Sequence, residues 1–76
     1  MANHYYSFDF TEMKGSEAVS MGILAINTEK SISREQLKIL VKQHLQNSTG
    51  EIFISNVMRI SKAEFESFNM NNKQTI

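Results

Sequence analysis

Residues 32–50 read ISREQLKILVKQHLQNSTG, and this stretch alone carries enough periodic apolar residues for a long helix with a defined start and stop. Ser33 with Gln36 three positions on has the form of a capping box, in which the hydroxyl accepts from a free amide of the first turn while the glutamine reaches back. Ile32 before the cap and Leu37 beyond it complete a hydrophobic staple. Leu37, Leu40, Val41, His44 and Leu45 then fall at i, i+3, i+4, i+7 and i+8, one stripe of a helix with a period of about 3.6 residues. Asn47, Ser48, Thr49 and Gly50 continue helices poorly, so the spacing predicts an end at residues 46–48. The same entry device recurs at Ile60, Ser61, Glu64 and Phe65, which predicts a second helix from Lys62. That helix is short, because no apolar stripe remains after Phe68. The stretches before the two boxes do not match, so the echo is a shared capping solution and not a duplication.

Around the first helix the chain reads as strands. Residues 5–11 alternate, with Tyr6, Phe8 and Phe10 on one side and Tyr5, Ser7, Asp9 and Thr11 on the other. Residues 12–17, with Gly15 and Ser16 inside them, are a hairpin connection. In the second strand, residues 18–27, Val19, Met21, Ile23 and Ala25 oppose Ser20, Gly22, Leu24 and Ile26, and Gly22 signals a bulge or a close backbone approach. In the third, residues 51–60, Ile52, Ile54 and Met58 oppose Phe53, Val57 and Arg59.

The order β-β-α-β-α predicts a small α+β domain over residues 1–70, with residues 71–76 as a mobile tail. The sheet is expected to be three-stranded and mainly antiparallel, in the order 2-1-3, with two helices on one face. The alternative places the third strand parallel to the second at the other edge. The second and third strands are apolar on both sides, so an apolar set is left on the open face whichever parity holds. If Val19, Met21, Ile23, Ile52 and Ile54 face the helices, the open set is Tyr5, Leu24, Ile26, Phe53 and Val57. If the parity flips, the sets change places. A larger exposed apolar patch than roughly 300 to 600 Å² implies a partner or self-association.

Seventy-six residues bury only roughly 60 to 65% of their unfolded surface, so there is little core to spare. With no cysteine there is no disulfide framework and no thiolate zinc site, as in a reducing compartment. The first ten residues include His4 and Asp9 and do not read as a signal peptide. No apolar run approaches the roughly 20 residues that span a bilayer, so no membrane partner is expected and the cytoplasm is the expected location. Residues 47–49 form a glycosylation sequon, read as chance without a secretion signal. Eight acidic and eight basic side chains cancel, which argues against nucleic-acid binding driven by bulk charge.

The chemistry on offer is thin. Residues 1–29 and the first helix lack a glycine-rich phosphate loop, a nucleophile elbow and a paired-histidine motif, as does the rest of the chain. His44, within the apolar stripe, reads as a boundary histidine bonded to a strand group, and His4 alone cannot complete a metal site with it. Asp9, Tyr5 and His4 form the one conceivable acid/base cluster, on a domain with little room for a pocket. No catalytic residue, cofactor or metal ligand is therefore assigned. Arg34, Lys38 and Lys42 recur at i, i+4 and i+8 as a basic ridge, ordinary as a solvated helix face or else a contact for phosphates or an acidic protein surface. Ile39 sits near the outer pole beside them, as a lone exposed residue or a contact anchor. The strand of Tyr5, Tyr6, Phe8 and Phe10 lacks the glycines and basic neighbours of RNA-stacking sheets, so core packing accounts for it.

A short, neutral, cysteine-free chain with an Asn/Lys/Gln-rich end has the general look of small accessory proteins of bacteria and their phages, a likeness of style that favours binding and inhibition over catalysis. The expectation is a non-enzymatic protein-binding module or inhibitor, acting by surface occupation and forming a homodimer through the open face. The alternative is a nucleic-acid-associated regulator using Arg34, Lys38, Ile39 and Lys42 on the first helix.

Overall fold

The computed structural model describes residues 3–46 and 48–76. The strands β1 (His4–Lys14) and β2 (Glu17–Thr28) are followed by helix α1 (Arg34–His44), strand β3 (Glu51–Arg59), helix α2 (Lys62–Glu66), a single 3-10 turn (Met70–Asn72) and strand β4 (Lys73–Thr75). β1 and β2 close a hairpin in which Lys14 faces Glu17. Gly15, at φ 62°, is the first of two central residues, where a type II′ turn requires glycine.

Both capping boxes form. Ser33 Oγ accepts from Gln36 N at 3.2 Å and Ser33 N donates to Gln36 Oε1 at 2.9 Å. Ser61 and Glu64 repeat the exchange, both at 3.1 Å. α1 stops at His44, with Leu45 as its cap and Gln46 turned into the left-handed region at φ 57°. That is slightly earlier than the expected end over residues 46–48, of which Asn47 lies outside the described residues.

The sheet corrects the sequence reading in number, order and cover. It has four strands, not three, in the order β3-β1-β2-β4, so the expected order 2-1-3 does not describe it. β1 is still flanked by β2 and β3, antiparallel to both, but β2 gains β4 as a parallel neighbour. Residues 71–76, expected to be a tail, supply part of the 3-10 turn and all of β4, and Ile76 N donates to Asn27 O at 2.8 Å. β4 escapes a search for apolar periodicity because Lys73, Gln74 and Thr75 are all polar and pair with β2 through their backbone.

The helices do not share a face. Leu37 and Val41 of α1 pack with Phe8 and Phe10 of β1, Leu24 and Ile26 of β2, and Ile52 of β3 into one core, with Tyr6, Ile32, Leu40, Leu45 and Ile54 at its margin. Phe65 of α2 instead packs against Tyr5, ring centroids 5.2 Å apart and the planes tilted by 50°, and Tyr5 belongs to the other side of β1. Beneath α2, Ser7 and Ala25 are buried, and Lys73 Nζ lies 5.5 Å from the Phe65 ring centroid. The physical reason is the length of α2, a five-residue helix with one buried residue, which needs only a small platform. The α1 face is already filled.

Two close approaches fix the α1 side. Gly22 lies under the Phe10 ring, and a Cβ there would come within 2.8 Å of Phe10 Cζ, which is the close approach its position in the strand suggested. Gly50 lies against Glu12, where a Cβ would meet Glu12 Cγ at 2.6 Å and Met13 O at 2.8 Å. Glu12 follows Phe8 and Phe10 in the core-facing series of β1 and is buried. Its Oε2 accepts from Ser48 Oγ and, at 3.3 Å, from Gly50 N, so one carboxylate ties the α1–β3 connection to the central strand. The Ser48 hydroxyl is the main reason that its pKa falls below the ordinary 4.5; burial opposes the shift, and Gly50 N–H, Ser20 and Lys14 add to it.

Two expected outcomes follow from these contacts. Ser33→Ala and Ser61→Ala should each lower the unfolding free energy by about 1 kcal/mol, read from urea midpoints, with unchanged midpoints refuting the caps. Because the folded pKa of Glu12 is depressed, its stabilising effect is complete above the unfolded value and is lost as pH falls through the folded one. The stability difference between wild type and Glu12→Gln should therefore be constant near neutrality and shrink on acidification below about pH 4.5. A gap that widens on acidification would contradict the depressed pKa.

Candidate functional site

The face of the sheet that carries α2 is covered over only part of its area. Strand register sets its surface as Tyr5, Ser7, Asp9, Thr11 and Met13 from β1, Met21, Ile23, Ala25 and Asn27 from β2, and Phe53, Ser55 and Met58 from β3. α2 sits over the end formed by Tyr5, Ser7 and Ala25. The other end is open, and its large apolar side chains remain exposed: Met21 at 75%, Met58 at 57%, Phe53 at 51% and Ile23 at 42%. Between them lies a shallow hollow of about 460 Å³ floored by Asp9, Thr11 and Ser55.

A bulge gives β3 its part in this surface. Ser7 pairs with Met58 and Asp9 with Ser55, so one residue of β1 spans two of β3, and Asn56 takes up the left-handed conformation at φ 52°. Its Nδ2 donates to Asp9 Oδ2 at 2.7 Å, which pins the bulge to the central strand. The extra residue reverses the facing of everything after it. Met58, expected beside Ile52 and Ile54, instead joins Phe53, and Val57 stays in the bulge at 38% exposure.

The residues expected on the open face therefore divide. Phe53 is there. Tyr5 is on that face but lies half-buried under Phe65. Leu24 and Ile26 are corrected outright, since both have no exposed surface and belong to the α1 core. The reason is register: Leu24 pairs with Phe8 and Ile26 with Tyr6, so β2 shows Met21 and Ile23 to the open face instead. The proposed cluster of Asp9, Tyr5 and His4 does not assemble, because His4 points with Tyr6 to the opposite side and meets Arg59, Nη2 to Nδ1 at 2.6 Å. His44 is half-buried with its ring edge-on to Phe10 at 6.0 Å, an aromatic contact in place of the expected hydrogen bond to a strand.

The basic ridge is largely occupied. Arg34 Nη1 donates to Ile54 O at 2.8 Å across the outer edge of β3, and Lys38 Nζ lies 3.7 Å from Glu35 Oε1. Lys42 is exposed at the far end. Ile39, 55% exposed, leans to the other flank of α1, where it borders a hollow with Ile32, Gln36, Leu40, Gln43 and Ile76. Ile39 and the cations thus stand on separate flanks of one helix.

Sequence reasoning missed three contributors: the Asn56 bulge, the Phe65 platform and the Glu12 tie. Asn56 had a readable signal, since asparagine is the non-glycine residue most at ease in the left-handed region. Glu12 had one too, a charge falling in register with Phe8 and Phe10. Among the described residues no helix is long and apolar enough to cross a membrane. No family model, no curated protein and no solved structure matches the chain.

Phe65 is the residue that divides this face into covered and open parts. Phe65→Ala should lower stability by about 3 kcal/mol, as for a buried phenylalanine, seen as a reduced urea midpoint. An unchanged midpoint would show that α2 is not held by this ring.

Proposed function

We propose that the chain is a non-enzymatic protein-binding module that acts by occupying a protein surface with the uncovered part of its sheet, and that it forms a homodimer. One observation carries this reading: Met21, Ile23, Phe53 and Met58 stand exposed together on a sheet whose backbone is fixed from both sides by β1 pairing. A sheet surface held in this way loses little conformational freedom when it is covered. Covering these four side chains from their present half-exposed state is worth on the order of 1 kcal/mol each, and the apolar surface that covers them adds a similar amount against association costs of about 4 kcal/mol or more. The contact would act as an inhibitor or regulator does, by denying the covered surface to others.

The nucleic-acid reading of α1 gains nothing from the structure's electrostatics. Arg34 serves the β3 edge and Lys38 faces Glu35, so Lys42 is left as the ridge's one cation without such a contact among the described residues.

Light scattering at micromolar concentration should give a mass above the monomer's 8.7 kDa. The double variant Met21→Asp with Phe53→Asp should return to the monomer with an unchanged far-ultraviolet circular dichroism spectrum, and raising the salt concentration should leave the wild-type mass unchanged. A monomeric wild type, or a double variant that still self-associates, would refute the proposal. Dissociation by salt together with sensitivity to Lys42→Glu would point to the charged flank of α1.

A further inference from the structure

The homodimer just proposed leaves open which atoms meet, and the edges of the sheet discriminate. Within β2 the even-numbered residues 22–28 pair with Phe10, Phe8, Tyr6 and His4. Asn27 O turns the other way and accepts from Ile76 N. By strand alternation, the backbone N–H and C=O of Met21 and Ile23 also point away from β1. β4 pairs only with Ala25, Ile26 and Asn27, so among the described residues no strand pairs with the edge of β2 before Ala25, although the 3-10 turn lies close by. The outer edge of β3 differs, because Arg34 occupies Ile54 O and the Asn56 bulge interrupts it. A side-chain plug of this kind, with a bulge in mid-strand, keeps an edge from pairing, whereas the bulge of β2 lies toward its hairpin end. β2 carries no charge between Ala18 and Leu24, and its bulge falls at Val19, where Ser20 pairs with Glu12 and Ala18 with Met13.

We infer that two copies of the chain join edge to edge through β2, antiparallel about a two-fold axis at Met21, so that one continuous sheet runs through both. This rests on the homodimer reading and gives it a register. β4 sets the limit, since its first residue, Lys73, lies beside Ala25 and stops an incoming strand there. A two-fold at Met21 centres the paired stretch on residues 20–22 of each copy, short of that limit, with the Val19 bulge ending the regular ladder on either side. It opposes Met21 to Met21 as a bonded pair and brings Ile23 beside Val19, all three exposed in the single chain. On the α1 side, small residues line the edge: Ser20 and Gly22 border a hollow of about 330 Å³ reaching to His44 and Asn72, which leaves space for the incoming strand.

A face-to-face contact fits less well. The open area is about three strands wide and three side-chain rows long, roughly 15 by 20 Å. That is well short of the about 800 Å² per partner of a standard interface. Edge pairing adds backbone hydrogen bonds and merges the two open areas into one apolar surface centred on both copies of Met21 and Ile23.

The chain has no cysteine, so single cysteines report the geometry. A bonded antiparallel pair holds its Cα atoms about 5.5 Å apart, within reach of a disulfide. At micromolar concentration under mild oxidation, Met21→Cys should form the disulfide-linked dimer at least tenfold faster than Phe53→Cys. Met21→Pro, which removes an outward N–H together with the side chain, should weaken the dimer at least tenfold more than Met21→Ala, which removes the side chain alone, while circular dichroism remains native. Faster cross-linking of Phe53→Cys, or full dimerisation of Met21→Pro, would overturn the edge contact and leave the binding reading standing. Equal, slow cross-linking of both in protein that light scattering shows to be dimeric would do the same. A monomeric wild type would remove both.

Discussion

The central strand must be covered on both sides, and the two covers come from distant parts of the chain. Phe8 has no exposed surface because Leu37 and Val41, about thirty residues later, lie over it in the same core; Tyr5 is covered by Phe65, sixty residues on. Each such side chain is worth roughly 1.5 to 3 kcal/mol when buried, in a fold with little core to spare. The hairpin alone cannot stand without these covers, since an isolated two-stranded hairpin is marginal in water. The placement of every other element follows from them: β3 is delivered by α1, and β4 by the turn that follows α2.

This economy shapes the surface. α1 has a full stripe and fills one face, whereas α2 is five residues long and offers one buried ring. The second face is therefore covered only where Phe65 reaches. The rest keeps Met21, Ile23, Phe53 and Met58 exposed, with Asp9 and Asn56 bonded to each other between them. Asp9 and Asn56 are thus turned toward each other, and the surface around them is apolar.

Local chemistry was legible in the sequence, and side-chain facing was legible only where nothing interrupted it. Ser33 with Gln36 and Ser61 with Glu64 announced both helix starts, and both boxes form. Tyr6, Phe8 and Phe10 announced the core side of β1. The facing of β2 was ambiguous because Leu24 and Ile26 are as apolar as Met21 and Ile23, and only pairing with Phe8 and Tyr6 decides between them. The facing of β3 changes within the strand at Asn56, so a fixed period of two misplaced Met58. β4 left no apolar trace because it contributes backbone at an edge, and the two-sided arrangement of helices was hidden because Phe65 suits either face. Of the residues first expected at the site, Phe53 and the open face itself remain, and Met21, Ile23 and Met58 replace Leu24, Ile26 and Val57.

Methionine methyl groups report on this surface from inside and outside it. Met21 and Met58 lie on the open area, while Met70, 86% exposed, belongs to the 3-10 turn and not to the sheet. Carbon-13 labelled methionine methyl spectra recorded from micromolar to millimolar protein follow all of them at once. The Met21 signal should move or broaden strongly with concentration while that of Met70 stays fixed. Signals of Met21, Met58 and Met70 that all stay fixed across that range would contradict association through this surface.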